Sequence, residues 1–348
     1  MKYFLGALLK LYYIYLLIIS NPKKLRRYIT KKAAGYLHDP SSQNNQNNVV
    51  KVATVQIKAR LYKNIYKYMD DMLRWVVLAK NNKCQFIALP EYHTLQLLGL
   101  LPGIGKQDSM GSKTDHNSSP SVLDILKYIA PIIERIYVTL FSTLAKLFDI
   151  YIMAGSTVVE DERLFNCGYL FDNEGNTIGK QRKVHLMPME MEWGLGRSND
   201  ITVCQTGIGC ISFPICMDAT YYETFRIASL KGADIVVIPI ANAEEYNHWK
   251  ALRGTWPRVQ ESWVYGIKSA MVGTLLGFTF SGKAGIYAPI ELTSNKDGII
   301  AESKEPFSED IIYGYLDINK IRQYKTRALQ YLPFNTELIE KYLPNIYN

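Results

Sequence analysis

ISFPICMDATYYETFRIASLKGADIVVIP, residues 211–239, holds a strand–helix–strand unit in one short stretch. CISFPI (210–215) is a continuous apolar run and reads as a buried strand. ETFRIASLKG (223–232) reads as a helix, and DIVVIP (234–239) is again an apolar run bounded by Asp and Pro. Apolar runs that do not alternate with polar residues belong to strands covered on both faces, the mark of parallel sheets with helices packed above and below.

Outward from this unit the same rhythm repeats. VKVATVQI (50–57) and CQFIALP (84–90) read as strands. Between them residues 62–80 read as a helix with Met69, Met72, Leu73, Val76 and Val77 at helical spacing. Residues 121–148 read as a long apolar helix or helix pair, broken at Pro131. Further strands are expected at 150–156, 165–171, 269–273, 285–289 and 311–317, with a hairpin turn in FDNEGNTIG (171–179). GIGKQDSMGSKTDHNSSP (103–120) reads as a polar loop; its GSKT lacks the G-K-[ST] order of a phosphate-binding loop. PSSQNNQNN (40–48) is a polar connector. The chain thus divides into an apolar and basic segment 1–40, a linker 41–49, an α/β body 50–320 and a C-terminal tail 321–348.

Composition excludes several functions. Five cysteines without a CxxC pair argue against a disulfide framework and a structural zinc site, and suit a reducing compartment. The five histidines show no metal-ligand spacing, so no metal or other cofactor is expected. Most of the net charge of +8 sits in residues 1–40, where eight Lys/Arg face Asp39 alone. The body is close to neutral, which argues against nucleic-acid binding. Residues 3–19, apolar except for Lys10, followed by NPKKLRRYITKK, admit three readings: a signal peptide, a helix spanning or lying on a membrane, or a helix packed on a neighbouring subunit. Lys10 and the position of the charges disfavour the first. The expectation is a cytoplasmic domain tethered to an anionic membrane surface through residues 1–32.

Three segments place a reactive side chain just past an expected strand, where α/β folds present their chemistry. They carry Glu91 in FIALPEYH, Lys183 in GKQRKVHLMPMEMEW and Cys216 in ISFPICMDATYYE. Cys216 falls at a strand-to-helix turn, where helix dipoles and a nearby cation favour thiolate. A thiol nucleophile needs a proton acceptor, which a carboxylate can supply. Alone, such a cysteine is as readily a small buried hydrophobe.

Together, LPE after a strand, RKVHL after a hairpin, and ICMD followed by KGADIVVIP resemble the nitrilase superfamily of carbon–nitrogen hydrolases, over about residues 50–320. QLLGLLP, QRKVHLMPMEMEWGL and TFRIASLKGAD are similar to the branch often fused to an N-terminal acetyltransferase; here the apolar basic segment stands at that end. The resemblance implies a four-layer α-β-β-α sandwich, paired through helices into a homodimer or a larger homo-oligomer, and a Glu–Lys–Cys triad. It implies Glu91 as general base, Lys183 and the Met217 N–H as stabilisers of the oxyanion, and Cys216 as nucleophile of a thioester route. It further implies a second glutamate, Glu190 by spacing with Glu192 close by. Tyr92, Trp193, Tyr221 and Asn242 are candidates to line the pocket. Asp218 and Arg226 are candidates for a pair bracing the nucleophile turn, and His185 reads as structural. RVQESWVYGIKSA (258–270) and LLGFTFSGKAG (275–285) depart from the family pattern and bear on substrate identity. The implied activity is hydrolysis of a non-peptide amide of a small molecule. Acyl transfer to an amine is the alternative within the chemistry, and a catalytically silent membrane-associated scaffold is the alternative outside it.

Overall fold

The computed structural model describes residues 2–37, 48–104, 121–331 and 335–346. The expected connector 40–48 and loop 103–120 therefore lie almost wholly outside the described residues. Helices α1 (Lys2–Ile19) and α2 (Pro22–Ala33) precede strand β1 (Val49–Lys58). Then come α3 (Ile65–Asn81), β2 (Phe86–Ala88), a 3-10 run His93–Leu100, α4 (Val122–Phe148), β3 (Tyr151–Glu160), β4 (Leu164–Phe171) and β5 (Thr177–Arg182). The second half runs α5 (Pro188–Glu192), β6 (Val203–Thr206), β7 (Gly209–Ser212), a 3-10 turn Cys216–Thr220, α6 (Tyr222–Leu230) and β8 (Ile235–Ile240). It continues through α7 (His248–Ala251), α8 (Thr255–Ser262), β9 (Tyr265–Leu275), β10 (Phe278–Phe280), β11 (Gly285–Tyr287), β12 (Ile299–Glu302) and β13 (Asp310–Asp317). Helices α9 (Ile318–Tyr331) and α10 (Thr336–Ile346) follow.

The strands form one mixed sheet with the order β5-β4-β3-β2-β1-β9-β8-β7-β6. Its centre is the junction of β1 and β9. One edge of β1 pairs with β2. The other is shared, antiparallel with β13 over Val49–Gln56 and parallel with β9 over Gln56–Lys58. β9 likewise divides an edge between β1 and β11. At this junction the sheet folds into two facing halves, β5-β4-β3-β2-β1-β13 and β12-β11-β9-β8-β7-β6.

Side-chain alternation then builds the layers. On β1, Val50 and Val52 face the other half, while Ala53, Val55 and Ile57 face helices α3 and α4. On β8, Ile235 and Val237 face inward, and Val236 and Ile238 pack under α6 and α8 with Phe225, Ala228 and Val259. The inner layer joins Phe86, Met153 and Leu170 of one half to Ile211, Phe213 and Ile267 of the other. The result is the expected four-layer α-β-β-α arrangement, with the sheet nearly closed.

The structure corrects the expected elements in three places. α4 is a single helix through Pro131. The proline removes one intrahelical hydrogen bond and its ring crowds the preceding turn, together costing about 3 kcal/mol, and the buried face from Leu126 to Phe148 holds the helix together. Strands β5, β6, β10 and β12 were not expected. β5, TIGKQR, is mostly polar because only Gln181 is fully buried. The segment read as a tail carries α9, anchored by buried Ile318 and Ile321 and by the Arg322–Asp234 ion pair at 2.6 Å.

Candidate active site

Glu91 lies just past β2, Lys183 directly after β5, and Cys216 just past β7. β5 and β7 sit near opposite ends of the strand order, and closure of the sheet brings them together. Gln181 helps hold that closure, accepting from the Thr202 N–H (2.7 Å) and donating to the Asp200 carbonyl (2.8 Å). Cys216 and Tyr92 both adopt left-handed backbone, with φ of +48° and +55°. Side chains with a Cβ rarely occupy that region, and such strain concentrates at functional sites.

One carboxylate locks the cysteine turn to the lysine segment. Asp218 accepts from the Ile215 N–H (2.8 Å) on its own turn and from the His185 N–H (2.7 Å) beyond Lys183. His185 Nδ1 lies 3.1 Å from the same carboxylate, and its ring stacks on Tyr221. The Arg226 guanidinium, the other member of the expected brace, lies 5.8 Å from the Trp263 ring centroid. His185 is half-buried, so its structural part rests on Asp218 and Tyr221 rather than on a buried neighbourhood.

The centre of the site is a buried polar network. Lys183, 1% exposed, places Nζ 2.8 Å from Glu91 Oε1 and 2.8 Å from Glu190 Oε2. Glu91 also accepts from Asn166 Nδ2 (2.8 Å) and from the Ala241 N–H (2.9 Å) at the end of β8. Glu190 accepts from Asn166 (3.0 Å), the Met187 N–H (2.8 Å) and the Tyr92 hydroxyl. Glu192 is exposed, which decides between the two glutamates. Cys216 is half-buried, with Sγ 3.4 Å from Asn242 Oδ1.

Burial dominates the electrostatics, and pairing reverses it selectively. Burial raises Glu91 above the usual carboxylate range; Lys183 pulls it back and Glu190 adds to the rise. Desolvation also pushes Glu190 up, but Lys183, Tyr92 and Met187 bring it below its ordinary value. Desolvation alone would lower Lys183, yet the charges of Glu91, Cys216 and Glu190 raise it far into the protonated range. Burial, and then the Glu91 carboxylate, push the Cys216 thiol well above its ordinary value. The site therefore sets a thiol and a carboxylate, both of raised proton affinity, beside a lysine that its carboxylate partners hold protonated.

A cavity of about 290 Å³ opens over these groups. Trp193, Met217 and Asn242 line it with Tyr92, and Leu95, Leu98, Leu126 and Phe278 form an apolar wall. Tyr221 does not line the cavity; it is 40% exposed and spent on the His185 stack. Two residues of the pocket region had not been singled out. Asn166 bridges both glutamates, and its Oδ1 is buried without a partner. Lys268, on β9, lines the same cavity. In both cases the signal was a polar residue inside an apolar strand, FNCGYLF and GIKSAMVG, where burying it needs a reason. Among the described residues no cluster of His, Cys, Asp and Glu suits a metal ion.

Comparison with known proteins agrees with this architecture. "Probable hydrolase YhcX" of Bacillus subtilis is 27% identical over 79% of this chain and 51% of its own length. Omega-amidase NIT3 of Saccharomyces cerevisiae is 26% identical over 54% of this chain and 66% of its own length. The chain spans about half to two thirds of such curated relatives. The same fold occurs in a carbon-nitrogen hydrolase from Helicobacter pylori, with a TM-score of 0.65 at 16% identity, covering 85% of this chain and 98% of that one. It also occurs in Saccharomyces cerevisiae Nit3, with a TM-score of 0.59 at 23% identity, covering 82% and 95%. The carbon-nitrogen hydrolase family model matches residues 51–326, most of the chain, from β1 into α9. The chain belongs to the carbon-nitrogen hydrolase family.

Proposed function

We propose that this protein hydrolyses the amide bond of a small molecule through a thioester on Cys216, with Glu91 as proton carrier and Lys183 as oxyanion stabiliser. The observation that carries the reading is the placement of Lys183 Nζ at 2.8 Å from Glu91, at a cavity that Cys216 also lines. The thiol gives its proton to Glu91 as sulfur bonds to the amide carbon. Lys183 and the Met217 N–H, at the start of the 3-10 turn, meet the charge on the carbonyl oxygen. Glu91 then passes the proton to the departing amine as the carbon–nitrogen bond breaks. In the second half water gives a proton to Glu91 and its hydroxyl adds to the thioester. The carbon–sulfur bond breaks, and Glu91 returns the proton to sulfur. Glu190, Asn166 and Tyr92 hold the base and the cation in register.

The test is intact-mass spectrometry during turnover of a panel of small amides. A mass increase equal to the acyl group, mapped to Cys216, is expected in wild type and absent in Cys216→Ala. Glu91→Gln removes the proton acceptor and should form little or no adduct. Full amidase activity in folded Cys216→Ala protein would overturn the reading.

A further inference from the structure

We propose that helices α1 and α2 form a docking surface for an anionic lipid bilayer, with α1 lying along the membrane rather than crossing it. α1 presents two apolar faces. On the inner face Leu16 is fully buried, the Tyr12 hydroxyl donates to the Leu100 carbonyl, and Tyr13 meets the Tyr128 ring of α4 at 5.2 Å. On the outer face Leu11, Ile14, Tyr15 and Ile18 recur at helical spacing and stand 50–65% exposed. A surface helix that served only to pack on the body would turn polar residues outward. The inner contacts also hold this helix to the domain, because crossing a bilayer would strip Tyr12, Tyr13 and Leu16 from their partners.

α2 supplies the complementary charge. Its apolar side, Leu25, Ile29 and Ala33, is buried against α3 and α4. Its other side exposes Lys23, Lys24, Arg26, Arg27 and Lys31, with Lys32 also exposed beside Asp70 at 3.7 Å. Residues 1–38 contain no acidic side chain. An apolar stripe next to a cationic helix matches an anionic membrane interface, where each cation adds attraction and tyrosine suits the headgroup level. A second copy of the chain is a poorer occupant, since a two-fold contact at this face would bring two such cationic helices together. Leu16 of α1 belongs to the same buried apolar cluster as the cavity-lining Leu95, Leu98 and Leu126, so the docking surface and the wall of the pocket share one core.

The experiment is sedimentation of the full-length protein with phosphatidylcholine vesicles, with and without phosphatidylglycerol. Wild type is expected to bind the anionic vesicles, more weakly as salt rises, and to bind neutral ones poorly. Reversing Lys23, Lys24, Arg26 and Arg27 to Glu should cost roughly tenfold or more in partition. Leu11→Ser with Ile14→Ser and Ile18→Ser should do the same without changing the melting temperature. The charge-reversed residues are exposed, so that variant keeps the test valid if the serine variant misfolds. No binding by wild type at low salt, or equal binding by the charge-reversed protein, overturns the proposal. So does a change in oligomeric state of the serine variant without loss of binding. Acylation of Cys216 by small amides is independent of every arm, so failure here is distinct from failure of the hydrolase mechanism.

Discussion

Two lysines are buried beside the same cavity, and their surroundings differ. Lys183 directly follows β5, with Nζ 2.8 Å from each of two carboxylates. Lys268, 8% exposed on β9, has no carboxylate within ion-pair distance among the described residues, and its Nζ lies 5.2 Å from the Tyr287 ring centroid. Burial lowers the affinity of both for a proton. At Lys268 that effect wins and brings the ammonium down to about 8, Glu302 opposing it and Lys283 adding to it. At Lys183 the paired carboxylates reverse it. Burial by itself makes a lysine easier to neutralise, and only partners at hydrogen-bond distance make it a permanent cation. The oxyanion-stabilising role needs the second kind.

Breaking the Lys183 side of the contrast should have the largest effect. Lys183→Met leaves Glu91 and Glu190 buried without their cation. Loss of one partner of a buried pair typically costs about 3–5 kcal/mol, which denaturant titration would measure. Turnover should fall by roughly 10²–10³ or more, as when an oxyanion donor is removed. If stability and turnover both stay near wild type, the electrostatic account of this centre is wrong.

Glu190→Gln should act more mildly and with a diagnostic sign. Its amide can still bond Tyr92 and Asn166, so the fold is expected to survive. Glu190 raises Glu91, so its neutralisation should lower the Glu91 pKa. The acidic limb of the kcat/KM profile should then move to lower pH, with a reduced maximum. A limb that moves upward or stays put would show that Glu190 does not act through the base.

Lys268→Met tests the other side and should have the smallest effect. A folded pKa near 8 lies below the unfolded value of about 10.4. Below pH 8 both states hold the proton and the native state bears the full desolvation cost. As pH rises from 8 towards 10.4, the folded protein has released a proton that the unfolded chain still holds, so this group makes stability rise. Lys268→Met should thus be more stable than wild type at pH 7, on the order of 1–3 kcal/mol, with the gap closing above pH 8. A variant less stable than wild type at pH 7 would mean that Lys268 is held by more than the Tyr287 ring.

The legible parts of this protein were those written in contiguous residues. The βαβ unit 211–239, the strands β1, β2, β3 and β8, and the strand-end positions of Glu91 and Cys216 all follow from apolar runs and their punctuation. The illegible parts were those whose residues are half wet. β5, TIGKQR, carries little hydrophobic signature because only Gln181 is fully buried, and β12, IIAE, is only partly buried and too short to show a period. Tyr221 sits five residues from the nucleophile in sequence, yet its ring stacks on His185 outside the cavity.

What the sequence determined by itself is the layered α/β class, three candidate reactive side chains, and the placement of Glu91 and Cys216 just beyond apolar strands. Periodicity and turn residues act within a few positions along the chain, so local reading suffices for them. Tertiary structure alone decided that β1 and β9 share an edge, and that the sheet closes to bring the ends of β5 and β7 together. It also decided that Glu190 rather than Glu192 enters the network, that Asn166 bridges both carboxylates, and that pairing raises the proton affinity of Lys183 while burial lowers that of Lys268. Those outcomes depend on distances between residues far apart in sequence and on how much water remains between them, and no local pattern encodes either.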